Sequence, residues 1–266
     1  MTSRERVLAA LRHETPDMVP LDLGGTESSG SSGIAYNRLR NYLGLDPDGT
    51  RIFDVYQQIA IVGDDVRKTL GIDTIPLLME PLGWKPFTLP DGSPCSIPER
   101  WNPERDGAGG LAVKDSEGMV IARMPAGSYY FEPVGPPLAG MKSPSELNSF
   151  ADTIETFDWP SFADESIESI ASRAVRLHES TDYAVVANLQ LHLLAAGQIL
   201  RGYEAFMMDL MLDKSLAGAL LDMLTDAYLR RLDRYFQRMR GYVDVVLDTA
   251  DLGTKHGHML SPRLYQ

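Results

Sequence analysis

Apolar residues recur at helical spacing near the start of the chain. Val7, Leu8 and Leu11 share one face, and Thr2 and Glu5 stand at capping-box spacing ahead of them. This predicts a helix that runs to about position 13 and stops before Pro16. The period then changes. VPLDLG at 19–24 is short and largely apolar and predicts a buried strand, with GGTESSGSSG following as a loop at its end. Helical spacing returns over 34–43 and again over 59–70, where Gly71 closes it, and 73–79 predicts the next strand. From 84 to 131 the pattern differs: turn signals at Asp91-Gly92, Gly109-Gly110 and Glu117-Gly118 separate WKPFTL, LAVK, MVIARM and SYYF, which read as hairpins.

A Pro-rich crossing at 133–144 leads back to helical spacing at 166–179. YAVVANL, 183–189, is almost purely apolar, as a parallel strand buried on both faces should be. Helices are expected at 203–212 and 214–239 and a last buried strand at 243–247. The closing SPRLYQ opens one more helix, with Ser261 as N-cap and Pro262 at the first helical position. Four parallel-type strands therefore alternate with helices, which is an α/β pattern. Polar residues follow these strands: Asp22 after the first, Gln190 and His192 after the third, and Asp248, Asp251, His256 and His258 after the fourth. Sites in α/β folds gather at the C-terminal ends of parallel strands. This makes Asp22, Gln190, His192, Asp251 and His256 candidates for one shared mouth.

Composition narrows the function classes. The 266 residues carry a net charge of −12 and no dense Lys/Arg stripe, which argues against a nucleic-acid partner. The single cysteine, Cys95, cannot form an intrachain disulfide or a multi-cysteine zinc site, and it fits a reducing, cytoplasmic setting. The first residues are charged too early and too evenly for a signal peptide, and there is no run of 18 apolar residues to span a membrane.

Several stretches resemble the uroporphyrinogen decarboxylase superfamily, nearest its cobalamin-dependent methyltransferase branch. They are TSRERVLAALRHETPDMVPLDLG at the start, RIFDVYQQIA, the middle segment from ANLQLHLLAAGQILRGYEAF to TDAYLRRL, and DVVLDTADLGTKHGHMLSPRLYQ at the end. The resemblance covers most of the chain and is weakest over 84–131. It implies a (β/α)8 TIM-type barrel, here incomplete and interrupted by the hairpins. Such a barrel takes ~250 residues or more, and only four of its strands are legible, so the resemblance implies that the later strands follow SPRLYQ. Four strands alone would leave open edges and apolar faces, and the chain is expected to self-associate.

The resemblance also implies two chemistries. The decarboxylase grips a porphyrinogen's carboxylates with arginines in the first strand's loop, but this chain has no arginine between Met18 and Arg38, and Gln198 stands where the family's tyrosine is expected. The methyltransferases use zinc, through a His-x-Cys pair and a distant Cys, to activate a thiol, and take or give the methyl group on a corrinoid carried by a partner protein. No His-x-Cys occurs here, so the zinc ligands are expected past Gln266 and the 266 residues alone are expected to be inactive in methyl transfer. Asp251 and His256 are then the catalytic candidates, and Asp22, Gln190, His192 and Gln198 the substrate-binding ones. Each has a plainer alternative: Asp251 and Asp248 as turn or strand caps, His192 and Gln190 as satisfied core polars. A third reading is a non-catalytic barrel that binds a tetrapyrrole or another small molecule.

Overall fold

The computed structural model describes residues 1–157, 165–188 and 192–265. Its elements run α1 (Ser3–Leu11), β1 (Ser31–Ser32), α2 (Gly33–Tyr42), β2 (Ile52–Asp54), β3 (Ile59–Ala60), α3 (Asp64–Leu70) and β4 (Thr74–Leu77). The hairpin stretch holds β5 (Trp84–Thr88), β6 (Pro94–Pro98), β7 (Pro103–Arg105), β8 (Leu111–Lys114) and β9 (Val120–Met124), with β10 at Glu132–Pro133. Then come α4 (Ala151–Glu155), α5 (Ile167–Ser180), β11 (Ala184–Asn188), α6 (Leu193–Arg201), α7 (Tyr203–Leu212), α8 (Lys214–Met239), β12 (Val245–Leu247), β13 (Gly253–Thr254), β14 (Gly257–His258) and α9 (Pro262–Tyr265). The chain divides into two compact units: residues 1–132, 160–189 and 235–247 form the first, and residues 133–159, 190–234 and 248–266 the second.

The first unit contains a parallel three-stranded sheet in the order β12–β11–β4. Central β11 is buried at all five residues, the apolar run Ala184–Ala187 and the polar Asn188 that ends it, and pairs Val185 with Ile75 and Val186 with Val245. The molecule is a mixed α/β protein with several small sheets. Among the described residues, no closed barrel forms.

Helix α1 fixes one end of this sheet. Thr2 and Glu5 make both bonds of the capping box. Arg4 then reaches the carbonyls of His178, Thr181 and Tyr183 and the Asp244 carboxylate, while Arg6 pairs with Asp73 at 2.5 Å. Asp73, Tyr183 and Asp244 all lie just before the strands β4, β11 and β12. The N-terminal ends of all three strands are thus gathered under two arginines.

The expected strand at 19–24 does not form. Leu21 donates its N–H to the Asp73 carboxylate at 2.9 Å and accepts from the Asp73 N–H at 2.8 Å, so a side chain takes the place of the next ladder bond. Val19 stays 77% exposed. The expected helix at 59–70 is shorter than its spacing suggests: Ile59 and Ala60 pair with β1 and β2, and the helix starts only at Asp64.

The hairpins form at β5–β6 and β7–β8–β9, but SYYF is not a strand. The stretch does not stand apart as an excursion. Trp101, 2% exposed, packs edge-on against Phe131 with ring centroids 5.0 Å apart and tilts against Tyr56 at 5.3 Å, joining the hairpins to the core of Tyr36, Val55 and Val62. Cys95 is buried in this same core, and burial pushes its thiol up to about 12.

In the second unit, α6 is an element the spacing did not predict, because LLAAGQIL is apolar on more than one face and interrupted by Gly197. The glycine is required there: a Cβ would sit 2.4 Å from the Phe206 ring, which α7 presses onto α6. Arg201 at the end of α6 bonds Asp209 at 2.8 Å and the carbonyls of Leu138 and Ala139, tying the Pro-rich crossing to the helices. Arg230 of α8 pairs with Glu155 of α4.

Candidate functional site

The segments that follow β11 and β12 meet at His192. Its ring is buried, and Nδ1 lies 2.6 Å from the Thr249 hydroxyl and 3.2 Å from the Thr249 carbonyl. The Thr249 hydroxyl can donate to Nδ1 or accept from it, and the carbonyl can only accept, so either tautomer keeps the ring held by Thr249. His192 stands four residues beyond Asn188, the last residue of β11, and Thr249 two beyond Leu247, the last of β12. Both residues lie in the second unit, where they form one hydrogen-bonded pair. The sequence pointed to His192 but not to Thr249, because a threonine carries no signal until its partner is known.

The remaining candidates divide. Asp251 lies two residues past Thr249 and is exposed. His256 is exposed at the turn of the β13–β14 hairpin, where its N–H is bonded by the Thr254 hydroxyl at 3.1 Å and Gly253 pairs with His258. The Met259 N–H closes this hairpin on the Leu252 carbonyl, and Met259 offers its sulfur to the Tyr203 hydroxyl at 3.9 Å. Gln198 is half-buried between α6 and α7, with its amide 3.6 Å from the Met207 sulfur. Gln190 lies outside the described residues.

Asp22 is placed differently from the expectation. Its carboxylate accepts from the Thr74 hydroxyl and, at 3.0 Å, from the Gly25 N–H. Thr74 is the first residue of β4, not the last. The strand's other end is three residues on, ~10 Å away at a strand's rise. Asp22 therefore holds the Gly/Ser loop to the beginning of β4. A Cβ on Gly25 would lie 2.4 Å from the Asp22 Oδ1, so the loop's glycine permits that contact. The loop is ordered by its own side chains: Thr26 and Ser29 bond each other reciprocally at 3.1 Å, and Ser32 caps α2.

A charged cluster that the sequence did not reveal sits just past the C-terminal end of β4. Arg173, on the buried face of α5, donates to the Leu78 carbonyl and pairs with Glu80 and with Glu165 at 2.5 Å. Two carboxylates around one guanidinium fix the exit of β4. The only available signal was an arginine at helical spacing between the apolar Ile170 and Ala174.

Among the described residues, no group of three or more His, Cys, Asp or Glu is placed to hold a metal ion. His256 and His258 are two exposed side chains on a short hairpin, and the raised thiol of Cys95 is not a ready thiolate.

No family model and no curated protein matches the chain. Among solved structures, a methyltransferase from Methanosarcina mazei is similar over 100% of this chain at 15% identity, with a TM-score of 0.46. This chain spans 63% of the length of that one.

Proposed function

We propose that the chain is a member of the uroporphyrinogen decarboxylase-like superfamily acting as a methyltransferase-type enzyme. It would move a methyl group between a small substrate, a corrinoid on a partner protein and a thiol acceptor. The chemistry is supported by the motifs that carry the resemblance. The geometric observation that carries the site is the His192–Thr249 pair, which joins two strand-end segments.

In methyl transfer to a thiol, the sulfur loses its proton and forms the new S–C bond as the methyl group's bond to the donor breaks, and the donor keeps that electron pair. The His192 imidazole, oriented by Thr249 at Nδ1, would take the thiol proton. Asp251, in the segment just past Thr249, would orient the substrate's polar group. The corrinoid would supply or accept the methyl group. The donor set described above does not fit zinc, so no step is assigned to it.

Porphyrinogen decarboxylation is supported less well. The loop at 24–33 brings no cation, and the hydroxyls of Thr26, Ser29 and Ser32 are engaged with each other or with the α2 cap, so it offers several carboxylates little to bind.

The test is thiol-dependent loss of methylcobalamin absorbance, run on the whole gene product, including any residues encoded after Gln266. Uroporphyrinogen is assayed in parallel. We expect demethylation with a thiol present, at least ~100-fold slower in His192→Ala, the low end for a positioned general base. Decarboxylation without demethylation, or a His192→Ala variant as fast as the parent, would overturn the reading.

A further inference from the structure

The first unit contains a cavity of about 460 Å³ that none of the residues discussed above as site candidates lines. Its volume falls in the range of small-molecule sites, roughly 300–1,000 Å³. One wall is the first turn of α2, from the Ser32 cap through Ala35, with Arg38 one turn further on. Tyr129 and Tyr130, 57% and 55% exposed, and Asp91 complete the lining.

These walls are tied together through Gln58, itself a lining residue. The Gln58 carbonyl accepts the Gly33 N–H at 2.7 Å, and the Gln58 amide donates to the Tyr129 carbonyl at 2.5 Å, so one residue ties the helix start to the tyrosine segment. Gln58 does this with φ +56°, a conformation a non-glycine residue adopts only when its surroundings impose it. On the far side, the Phe131 N–H bonds the Tyr56 carbonyl and the Phe131 ring is buried. The two tyrosine rings are thus exposed on a segment anchored at both ends.

Arg38 is exposed and makes no ion pair within contact distance among the described residues, although its charge helps to lower the Asp91 carboxyl on the same cavity. We propose that this cavity binds a small monocarboxylate with a flat apolar body. Arg38 takes the carboxylate, helped by the positive end of α2, and the rings of Tyr129 and Tyr130 cover the body. Asp91 sets the charge limit. A hydrogen bond from the Ser93 hydroxyl holds its carboxyl below the ordinary value, so it is anionic at neutral pH and repels a second negative charge on the ligand. The site therefore selects a monocarboxylate over phosphate. It stands independently of the methyltransferase reading.

The probe is 4-fluorobenzoate, followed by its ¹⁹F resonance on titration with the protein. We expect saturable binding that 4-fluorobenzyl alcohol, the neutral isostere, matches only at least tenfold more weakly. Equimolar inorganic phosphate should not displace the probe. Arg38→Gln, a surface change checked for folding by circular dichroism, should weaken binding at least tenfold, and Tyr130→Leu severalfold. No saturable binding, equal binding by Arg38→Gln, or displacement by phosphate would each overturn the proposal.

Discussion

Replacing Arg4 by methionine tests whether α1 anchors the parallel sheet. Methionine keeps much of the apolar stem and removes every donor. Arg4 Nε lies 3.1 Å from both the Tyr183 carbonyl and Asp244 Oδ2, and Nη2 lies 2.9 Å from the His178 carbonyl and 3.0 Å from that of Thr181. In the variant three carbonyls lose a charged donor. The Asp244 carboxylate, its side chain 8% exposed, is left with the Val185 N–H at 2.8 Å and the His178 ring 4.0 Å away. Stranding one partner of a buried ion pair costs about 3–5 kcal/mol. The Arg4 side chain is 19% exposed, so water re-enters part of the space, which favours the lower figure, about 3 kcal/mol. In a chain of this size that lowers the melting temperature by roughly 6–12 °C. Urea unfolding followed by circular dichroism should give the same loss as a lower midpoint at unchanged slope. Adding Asp244→Asn should recover at least about 1 kcal/mol, because the stranded charge is gone. A loss below about 0.5 kcal/mol, typical of a surface pair, or strict additivity in the double variant, would refute the clamp.

Two further outcomes follow from the packing and the charges. Gly197→Ala should destabilise by about 1–3 kcal/mol despite alanine's better helix propensity, because the new methyl meets the Phe206 ring, and Phe206→Leu should restore most of the loss in thermal melts. Asp17 is held well below the usual carboxylate range by its hydrogen bond from Arg6. With a depressed folded-state value, its contribution is complete above the ordinary Asp value of about 3.9 and is lost as pH falls below it. The midpoint difference between the parent and Asp17→Asn should hold constant from pH 7 to 5 and shrink by pH 2.5. A difference unchanged at pH 2.5 would contradict the pairing.

The elements that the sequence announced are those whose local chemistry agrees with their packing. The Thr2–Glu5 capping box names its helix, and the unbroken apolar run of β11 names a strand covered on both faces. Misreadings arise where a distant group overrides the local pattern. The Asp73 carboxylate takes the Leu21 N–H and leaves 19–24 outside the ladder; β1 and β2 claim Ile59 and Ala60 from a helical pattern. The site was legible in the same measure. His192 was visible as a polar residue past a strand, but Thr249 and the Arg173 cluster became visible only once chain segments 57 and 95 residues apart met. Asp22 was misplaced because its meaning depended on a strand that does not form. The Arg38 cavity had no signature, since its walls come from a helix start and a loop that Gln58 joins across 71 residues.

The arginine clamp also orders events in time. Arg4 and Asp244 are 240 residues apart along the chain. At a synthesis rate of about 5–20 residues per second, α1 leaves the ribosome roughly 10–50 s before its last partner exists. A helix of nine residues is marginal by itself, so α1 has no stable form in that interval. Bringing its ends together then costs about 5 kcal/mol in loop-closure entropy, by the logarithmic dependence on length. The Arg6–Asp73 pair closes a loop of only 67 residues, so the carbonyls before β11 and the carboxylate before β12 are the later anchors that offset that cost. Full docking of α1 is therefore a late step in folding, one that completes only in chains whose parallel strands are already paired.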